Sequence, residues 1–380
     1  MSDLLSTLDP TDLARRTSLK WRRYEPDVLP LWVAEMDVPL AEPVVRAVTD
    51  LMAAGDTGYP SYSPGYVEAF AAFAADRWGW EVDVAASRIV PDIMTGLDAV
   101  VEAATDPGET VVVTSPVYGP FYGHPRALGR VVEAVALDDD GRLDVAALDA
   151  AFAAATTGGR RAVMLLANPH NPTGVVHTRA ELEALAAAAA RHGVRVVADE
   201  AHAPLVHDGR PFVPYLTVDP RGLSVLSAAK TWNLAGFKSA IILAGPEARA
   251  TLDALPSTLY DAVGHVSLVA HTAAFRDGGP WLDELLPALA RSRDLLVDLV
   301  AEHLPLARMR VPEATYLAWV DLSAYGLGDD PAAHILERAR VGFSNGVFFG
   351  PGGAGHVRVN FATHPEILTE ALRRTGAALA

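Results

Sequence analysis

Three polar side chains follow short apolar segments that are predicted to be strands. Asn171 lies in the turn Asn-Pro-His-Asn-Pro-Thr-Gly, Asp199 follows residues 194–198, and Lys230 follows residues 224–227. Because ligands bind beyond the carboxyl ends of the strands in an open α/β sheet, we expect these side chains to meet there. Each has an ordinary explanation by itself, since such a turn is commonly a plain loop and such a lysine is usually only exposed. An amide, an acid and an amine in this order are more informative than any one of them.

This ordered set matches the chemical needs of pyridoxal 5'-phosphate (PLP). Lys230 would supply the amine for the covalent link to the cofactor's carbonyl carbon. A buried carboxylate favours the protonated form of a ring nitrogen, which suits Asp199, and Asn171 would be the neutral donor to the phenolate oxygen. Tyr118 follows the predicted strand 111–114 and would stack on the ring.

The phosphate of such a cofactor needs donors and positive charge. Ser227 and Lys238 lie on either side of the lysine. Met94 and Thr95 precede a helix predicted to begin near Leu97, and the free amides of a helix N-terminus bind anions. We therefore expect these four residues at the phosphate.

Composition excludes several classes of site and partner. The chain has 380 residues, no cysteine, and 31 basic against 47 acidic residues, for a net charge of -16. Disulfides, cysteine-ligated metals and thiol nucleophiles are therefore excluded, no metal site is predicted, and no basic segment suits a nucleic acid. The N-terminus lacks an apolar signal segment, and the longest apolar run, 184–190, is too short to span a bilayer. We expect a cytoplasmic enzyme with no membrane partner.

Apolar strands and helices alternate through the middle of the chain, which predicts a mostly parallel sheet covered on both faces. The predicted strands are 111–114, 131–137, 162–166, 194–198, 224–227 and 240–243. Helices are predicted between them at 144–155 and 179–191, and the capping-box spacing of Thr178 and Glu181 marks the start of the second. Longer helices, 264–276 and 281–303, then precede strands at 316–320 and 357–361. These patterns predict a large domain over 43–263 and a small α+β domain over 264–380. The N-terminal segment 1–42 is predicted to contribute to the small domain.

Five segments give the chain a clear family resemblance. They are Leu-Trp-Val-Ala-Glu-Met-Asp (31–37), Asn-Pro-His-Asn-Pro (168–172), Asp-Glu-Ala-His (199–202), Lys-Thr-Trp-Asn-Leu-Ala-Gly (230–236) and Val-Arg-Val-Asn-Phe (357–361). The chain resembles fold-type I PLP enzymes of the class I/II aminotransferase superfamily, and within them the MalY/PatB group of cystathionine β-lyases. The resemblance implies a seven-stranded, mostly parallel sheet in an α/β/α sandwich, with a smaller α+β domain.

The resemblance also implies roles for residues that pattern alone leaves open. Arg358 would bind the substrate's α-carboxylate. Tyr59 would reach the phosphate in the neighbouring subunit of a homodimer, with Tyr62 as a competitor for that role. His202 stands where ordinary aminotransferases carry a tyrosine near the phenolate oxygen.

The substrate would be a small-molecule amino acid, and the residues expected to bind it are Arg358, Asn171, Tyr118, Trp32 and Ala34. The pocket for its side chain is expected to involve Trp32, Tyr59, Tyr118 and Tyr316.

The reaction implied is β-elimination from an L-cysteine S-conjugate such as cystathionine, with Lys230 as the base, assisted by Tyr118 and Tyr59. An aminotransferase would use the same lysine, aspartate, asparagine and arginine, so the residues that bind the core of PLP leave this alternative open. A non-catalytic regulator is a third possibility, but such a protein would be free to lose Lys230, Asp199 or Arg358, and all three are present.

Overall fold

The computed structural model describes residues 3–61 and 65–380. The α-helices are α1 (Pro10–Leu13), α2 (Leu19–Arg22), α3 (Glu42–Ala54), α4 (Gly65–Trp78), α5 (Ile93–Ala104), α6 (Pro120–Ala127), α7 (Val145–Ala155), α8 (Arg179–Arg191), α9 (Arg249–Asp253), α10 (His265–Asp277), α11 (Gly279–His303), α12 (Pro331–Ala339) and α13 (Pro365–Leu379). The strands are β1 (Leu29–Pro30), β2 (Ser87–Val90), β3 (Thr110–Ser115), β4 (Val131–Ala136), β5 (Ala162–Ala167), β6 (Arg195–Asp199), β7 (Leu223–Leu226), β8 (Ala240–Ala244), β9 (Arg308–Met309), β10 (Leu317–Asp321), β11 (Val341–Gly342), β12 (Ser344–Asn345) and β13 (His356–Asn360).

The largest sheet has seven strands in the order β2-β8-β7-β6-β5-β3-β4. Only β8 runs against its neighbours, because it pairs antiparallel with both β2 and β7 while the other pairs are parallel. The predicted mostly parallel sheet is therefore confirmed, and the bounds of every predicted strand lie within two residues of the observed ones. The edge strand β2 was not predicted.

Helices cover both faces of this sheet and form a separate apolar core on each. One core contains Leu97 and Val100 of α5, and the other contains Leu182 and Leu185 of α8. Both faces of β3 and β5 are fully buried, which explains why these strands read as continuous apolar runs rather than alternating ones. The arrangement is an α/β/α sandwich.

Helix α8 shows how local sequence fixes the position of a helix beside the site. The Thr178 side chain accepts a hydrogen bond from the Glu181 backbone N–H, and the Glu181 carboxylate accepts one from the Thr178 backbone N–H. This reciprocal capping satisfies two amide groups that a helix N-terminus otherwise leaves free. The helix therefore begins at Arg179, where the sequence predicts it.

The C-terminal part of the chain adds a four-stranded sheet, β12-β13-β10-β9, whose pairs are all antiparallel. Strand β1 pairs with β11, which ties the N-terminal segment to the C-terminal region. The domain boundaries at 42/43 and 263/264 stay predictions. Across residues 3–61 and 65–380, no helix combines the length and the apolar character needed to cross a lipid bilayer.

Candidate active site

Eight of the predicted site residues line one cavity of about 140 Å³. The cavity lies where β5 and β6 end and β7 is followed by the lysine segment, and segment 33–34 and β13 close its other side. The eight residues are Ala34, Met94, Tyr118, Asn171, Asp199, His202, Lys230 and Arg358. The expectation that the amide, the acid and the amine meet beyond the carboxyl ends of the strands is met.

Lys230 reaches across the cavity from the sheet side. Its Nζ donates a hydrogen bond to the backbone carbonyl of Ala34 over 3.3 Å. Burial and, to a smaller extent, the positive charge of Arg358 lower the pKa of the Lys230 amine to about 8 against the opposing effect of Asp199. A lysine with this pKa carries an appreciable neutral, nucleophilic fraction near neutral pH.

Asp199 is the last residue of β6 rather than the first residue after it, so the predicted strand is displaced by one position. Its Oδ1 accepts a hydrogen bond from the backbone N–H of Ala201 over 3.0 Å. Burial raises the pKa of Asp199 to about 6, and the Ala201 hydrogen bond and the Lys230 charge act against that rise. A cationic group placed beside this carboxyl would favour its ionised form.

Asn171 and Arg358 contact each other directly across the cavity. One terminal nitrogen of Arg358 donates to Oδ1 of Asn171 over 3.0 Å. Because Oδ1 is the acceptor in this bond, the amide NH₂ of Asn171 is the end left to donate elsewhere. That orientation is the one required of a neutral donor to a phenolate oxygen.

The Arg358 guanidinium is held on several sides. It donates to the carbonyl of Trp32 over 3.0 Å and to Ser344 Oγ over 3.3 Å, and it lies 4.8 Å from the centre of the Phe349 ring. Burial lowers the pKa of Arg358 to about 10, which leaves it cationic at neutral pH. Its buried Nε has no hydrogen-bond partner within the described residues, so a donor remains for an incoming carboxylate.

His202 lines the cavity, and the ring of Tyr316, which does not line it, packs behind His202. Their ring centres are 5.8 Å apart in an edge-on arrangement, and the Tyr316 hydroxyl donates to the Ala34 carbonyl over 3.0 Å. Burial lowers the pKa of His202 to about 3, so the ring is neutral. In the part of the chain that the structure describes, the buried Nδ1 of His202 lacks a partner.

Tyr118 reaches the cavity from the segment after β3. Its backbone N–H donates to the Asn171 carbonyl over 3.0 Å, which joins that segment to the asparagine turn. Burial raises the pKa of Tyr118, and the nearby Asp199 carboxylate adds to this effect. The phenol therefore stays protonated at neutral pH and can present both its ring and its hydroxyl to the cavity.

The four residues predicted at a phosphate are not all cavity-lining. Helix α5 begins at Ile93, four residues before the predicted start, so Met94 and Thr95 lie in its first turn, and Met94 lines the cavity. The Thr95 amide already donates to the Asp92 side chain over 2.8 Å. Asp92 also pairs with the exposed Lys238 over 2.9 Å.

Ser227 is buried beside the lysine segment. Its hydroxyl donates to the Ser239 carbonyl over 2.7 Å and accepts from the Ala229 amide over 3.1 Å. These two bonds fix the backbone that leads into Lys230. A phosphate role for Ser227 stays a prediction.

Two further predicted residues, Trp32 and Tyr59, do not line the cavity. The Trp32 carbonyl contacts Arg358, but its ring is not among those lining the cavity and packs edge-on against Tyr24 at 5.9 Å. Tyr59 is 98% exposed and does not line this chain's own cavity. Tyr62 lies outside the described residues.

Comparison with known proteins identifies the family. The profile of the family described as "Aminotransferase class I and II" matches residues 26–374. The chain belongs to this family.

Two relatives and one solved structure cover almost all of this family member. A Mycobacterium leprae (strain TN) protein named "Putative cystathionine beta-lyase" is 47% identical, over 100% of this chain and 98% of that protein. "Cystathionine beta-lyase PatB" of Bacillus subtilis (strain 168) is 35% identical, over 93% of this chain and 93% of PatB. The crystal structure of the PLP-bound C-S lyase from Staphylococcus hominis has a TM-score of 0.90 at 25% identity, covering 100% of this chain and 99% of that one. The predicted resemblance and fold class are confirmed.

The residues that line the cavity fit PLP. Asp199 is a buried carboxyl with a raised pKa, which a protonated ring nitrogen would compensate. Asn171 has a free amide donor, and His202 has a buried nitrogen without a partner within residues 3–61 and 65–380. Lys230 can approach all three because it lines the same cavity.

Sequence reasoning missed two residues that hold the site together. Phe349 lies under the Arg358 guanidinium, and Asn360 donates from its side chain to the carbonyls of Val33 and Glu35 over 2.7 and 2.6 Å. Asn360 lies two positions after Arg358, so the two side chains leave β13 on the same face. That spacing was the available signal. Phe349 had none, because its contact depends on how a distant loop folds.

Proposed function

We propose that this chain is a PLP-dependent carbon–sulfur β-lyase that cleaves L-cystathionine or related L-cysteine S-conjugates to a thiol, pyruvate and ammonia. The observation that carries the proposal is that Lys230, Asp199 and Arg358 line one cavity in a chain whose relatives over nearly its full length are named cystathionine β-lyases. A regulator without catalysis would not need this set.

The cofactor would be held mainly from the sheet side of the cavity. PLP supplies a conjugated ring that accepts the electron pair released at the substrate's α-carbon. Asp199 would place its carboxylate against the ring nitrogen, the Asn171 amide would donate to the phenolate oxygen, and Tyr118 would stack on the ring. Ser227, Thr95, Met94 and Lys238 would surround the phosphate, with His202 near the ring's oxygen side.

Substrate binding would fall to the other side of the cavity. Arg358 would bind the α-carboxylate through its free Nε and a terminal nitrogen, which is the planar paired recognition that suits arginine. Asn171, Tyr118 and Ala34 would contact the bound amino acid, and the Trp32 carbonyl would keep the guanidinium in plane.

Lys230 would act as the general base that removes the α-proton. Its pKa of about 8, lowered chiefly by burial, lies close to neutral pH, where general bases are most effective. The substituent on the β-carbon then leaves as a thiolate, a good leaving group because a thiol has a pKa of about 8.5. An aminotransferase would instead return the proton to the cofactor's own carbon.

The active enzyme would be a cytoplasmic homodimer in which Tyr59 reaches the partner's phosphate. Support comes from the 98% exposure of Tyr59 and from Val45 and Met52, two exposed apolar side chains seven residues apart on α3. Such spacing places them on one helix face. Tyr118 and Tyr59 would assist the lysine at opposite ends of the cofactor.

A subunit-mixing experiment tests the shared site. Lys230→Ala and Tyr59→Ala proteins should each be inactive, and refolding them together should restore activity, because one mixed site then has both wild-type residues. No recovery in mixed dimers whose formation is confirmed by tagged pull-down would contradict the role of Tyr59.

The activity itself is tested by incubating PLP-loaded protein with L-cystathionine and following pyruvate and free thiol, with Lys230→Ala as the control. Equal amounts of thiol and pyruvate, absent from the variant, would support β-elimination. If neither product forms and the cofactor accumulates in its amine form when amino acids are added, the chain is an aminotransferase.

A further inference from the structure

A second carboxyl group is buried directly behind the cofactor site. Glu200 follows Asp199 at the end of β6, and consecutive side chains of a strand point to opposite sides. Asp199 lines the cavity, whereas Glu200 does not line it and is only 1% exposed. The mechanism proposed above gives Glu200 no part.

The Glu200 carboxyl joins the ends of the sheet to the asparagine turn. Its Oε1 accepts hydrogen bonds from the Asn168 side-chain amide over 3.0 Å and from the Tyr215 backbone N–H over 2.8 Å. The same Asn168 nitrogen donates to the Val213 carbonyl over 3.1 Å. Asn168 is the first residue of the turn that presents Asn171.

Backbone bonds make this connection continuous with the central strands. The Asn168 N–H donates to the Asp199 carbonyl, and the Glu200 N–H donates to the Val225 carbonyl, both over 2.9 Å. The side chains of Asn168 and Glu200 therefore act on backbone that is already tied to β6 and β7. A change in either side chain would be felt at the point where Asn171 and Asp199 enter the cavity.

The surroundings of Glu200 favour its neutral form. No cationic side chain pairs with it within the described residues. The titratable groups that face it are Asp199 and the phenol of Tyr215, which donates to Asp219. Burial raises the pKa of Glu200 to about 7, and its hydrogen bonds oppose the rise while Asp199 adds to it.

Hydrogen-bond accounting favours a proton on the other oxygen. Oε2 of Glu200, Oδ1 of Asn168 and Oγ of Ser224 are all buried and without a partner in residues 3–61 and 65–380. The Ser224 hydroxyl lies close enough to the Glu200 carboxyl to donate to it, an interaction that lowers the pKa of Glu200 and is outweighed by burial. The Ser224 hydroxyl can donate one hydrogen bond within this set, so with an ionised carboxylate at least one of the other two oxygens stays without a donor, whereas a proton on Oε2 adds a second donor.

We propose that Glu200 is a positioning residue that works in its protonated form: it fixes Asn168, and through it the turn carrying Asn171, without placing a second negative charge beside Asp199. The inference rests on the proposed binding of PLP in this cavity. A negative charge at residue 200 would favour protonation of Asp199, because like charges disfavour each other's ionised forms. The ring nitrogen would then lose its anionic partner.

Glu200→Gln and Glu200→Leu separate the two parts of this inference. Glutamine keeps an acceptor oxygen and a donor in nearly the same volume, while leucine keeps the volume and removes both. The readouts are kcat, KM and the pH midpoint of the visible absorption band of the lysine-linked cofactor, which responds to the Asn171 contact. Asn168→Ala, which leaves Glu200 in place, is the second probe of the same hydrogen bond.

Glu200→Gln is expected to keep kcat within about threefold and to leave the spectral midpoint unchanged. Glu200→Leu and Asn168→Ala should lower kcat at least tenfold, shift the midpoint and change KM little. If Glu200→Leu does not fold, Asn168→Ala tests the same hydrogen bond in its place.

A loss of more than tenfold in kcat for Glu200→Gln would show that the charge is needed and overturn the inference. Wild-type values in both Glu200→Leu and Asn168→Ala would overturn it as well. Wild-type protein measured in parallel distinguishes failure of the inference about Glu200 from failure of the proposed function. If it forms no visible band with PLP, the proposed function fails, and not only the inference about Glu200.

Discussion

The two walls of the cavity are built in different ways. The sheet wall consists of Asn171, Asp199 and Lys230, which follow or end neighbouring strands of the seven-stranded sheet. The opposite wall consists of Ala34 and Arg358. The sheet wall is fixed by the backbone ladder of β5, β6 and β7, whereas the opposite wall depends on side chains of the C-terminal region that donate to carbonyls of residues 32–35.

This difference suggests a division of labour. The sheet wall carries the groups suited to the cofactor, and the opposite wall carries the cation suited to the substrate's carboxylate. Two bonds join the walls directly, from Arg358 to Asn171 over 3.0 Å and from Lys230 to Ala34 over 3.3 Å. Changes in the sheet wall should therefore affect kcat and the cofactor spectrum, and changes in the opposite wall should affect KM.

The largest effect is expected from Lys230→Ala. Loss of the amine removes the covalent link and the general base together, so kcat should fall by at least about 10³-fold, toward the upper end of what acid–base catalysis contributes. The visible band of the lysine-linked cofactor should be absent. The measurements are the absorption spectrum and pyruvate release.

Lys238→Ala is the matched control, because Lys238 is exposed and forms an ion pair with the partly buried Asp92. It should lower PLP affinity by about tenfold or less and leave kcat at saturating cofactor nearly unchanged, since exposed ion pairs contribute up to about 1 kcal/mol. Equal losses of kcat in the two variants would contradict the assignment of Lys230 as the residue that binds the cofactor covalently.

Asp199→Asn should follow in size. The substitution keeps the shape and removes the negative charge from the position against the ring nitrogen, so kcat should fall by about 10²–10³-fold, comparable to the loss of one fixed electrostatic contact in an active site. The covalent link to Lys230 should still form, and the visible band should persist with an altered midpoint. A variant with unchanged kcat would place the ring elsewhere in the cavity.

The same contrast explains what the sequence could predict. Asn171, Asp199 and Lys230 were found because the end of a parallel strand is a position that local patterns reveal. The sandwich and the start of α8 at Arg179 follow from apolar runs and capping residues of the same local kind. The role of Arg358 was predicted only from the family resemblance, because an arginine in a short strand has no local signal for a carboxylate site.

Other features could not be read locally at all. The stacking of Phe349 on Arg358 depends on the loop after β12, and the turn of the Trp32 ring toward Tyr24 depends on packing of the N-terminal segment. The early start of α5 was missed because Asp92 was not recognised as its capping residue. Each is decided by tertiary contacts or by a single side-chain bond that composition and periodicity do not register.

Arg358→Lys tests the opposite wall. A lysine keeps the charge but cannot hold Asn171 and the Trp32 carbonyl while presenting a planar pair of donors to a carboxylate. Loss of one charge-assisted hydrogen bond, about 1.5–3 kcal/mol, should lower kcat/KM by about 10–150-fold, mostly through KM. A shifted cofactor spectrum without a change in KM would mean that Arg358 acts chiefly through Asn171.

Phe349→Leu should give the smallest effect. The ring is fully buried under the guanidinium at 4.8 Å, and such a contact contributes about 0.5–2 kcal/mol. KM should rise by about two- to thirtyfold while the cofactor spectrum stays as in wild type, because the sheet wall is untouched. The control is Phe348→Leu, whose side chain is 56% exposed and packs against Gly119 and edge-on against the Phe349 ring at 5.4 Å rather than on Arg358. If Phe348→Leu raises KM as much as Phe349→Leu does, the loop acts as a whole, and the guanidinium contact is not what orients Arg358.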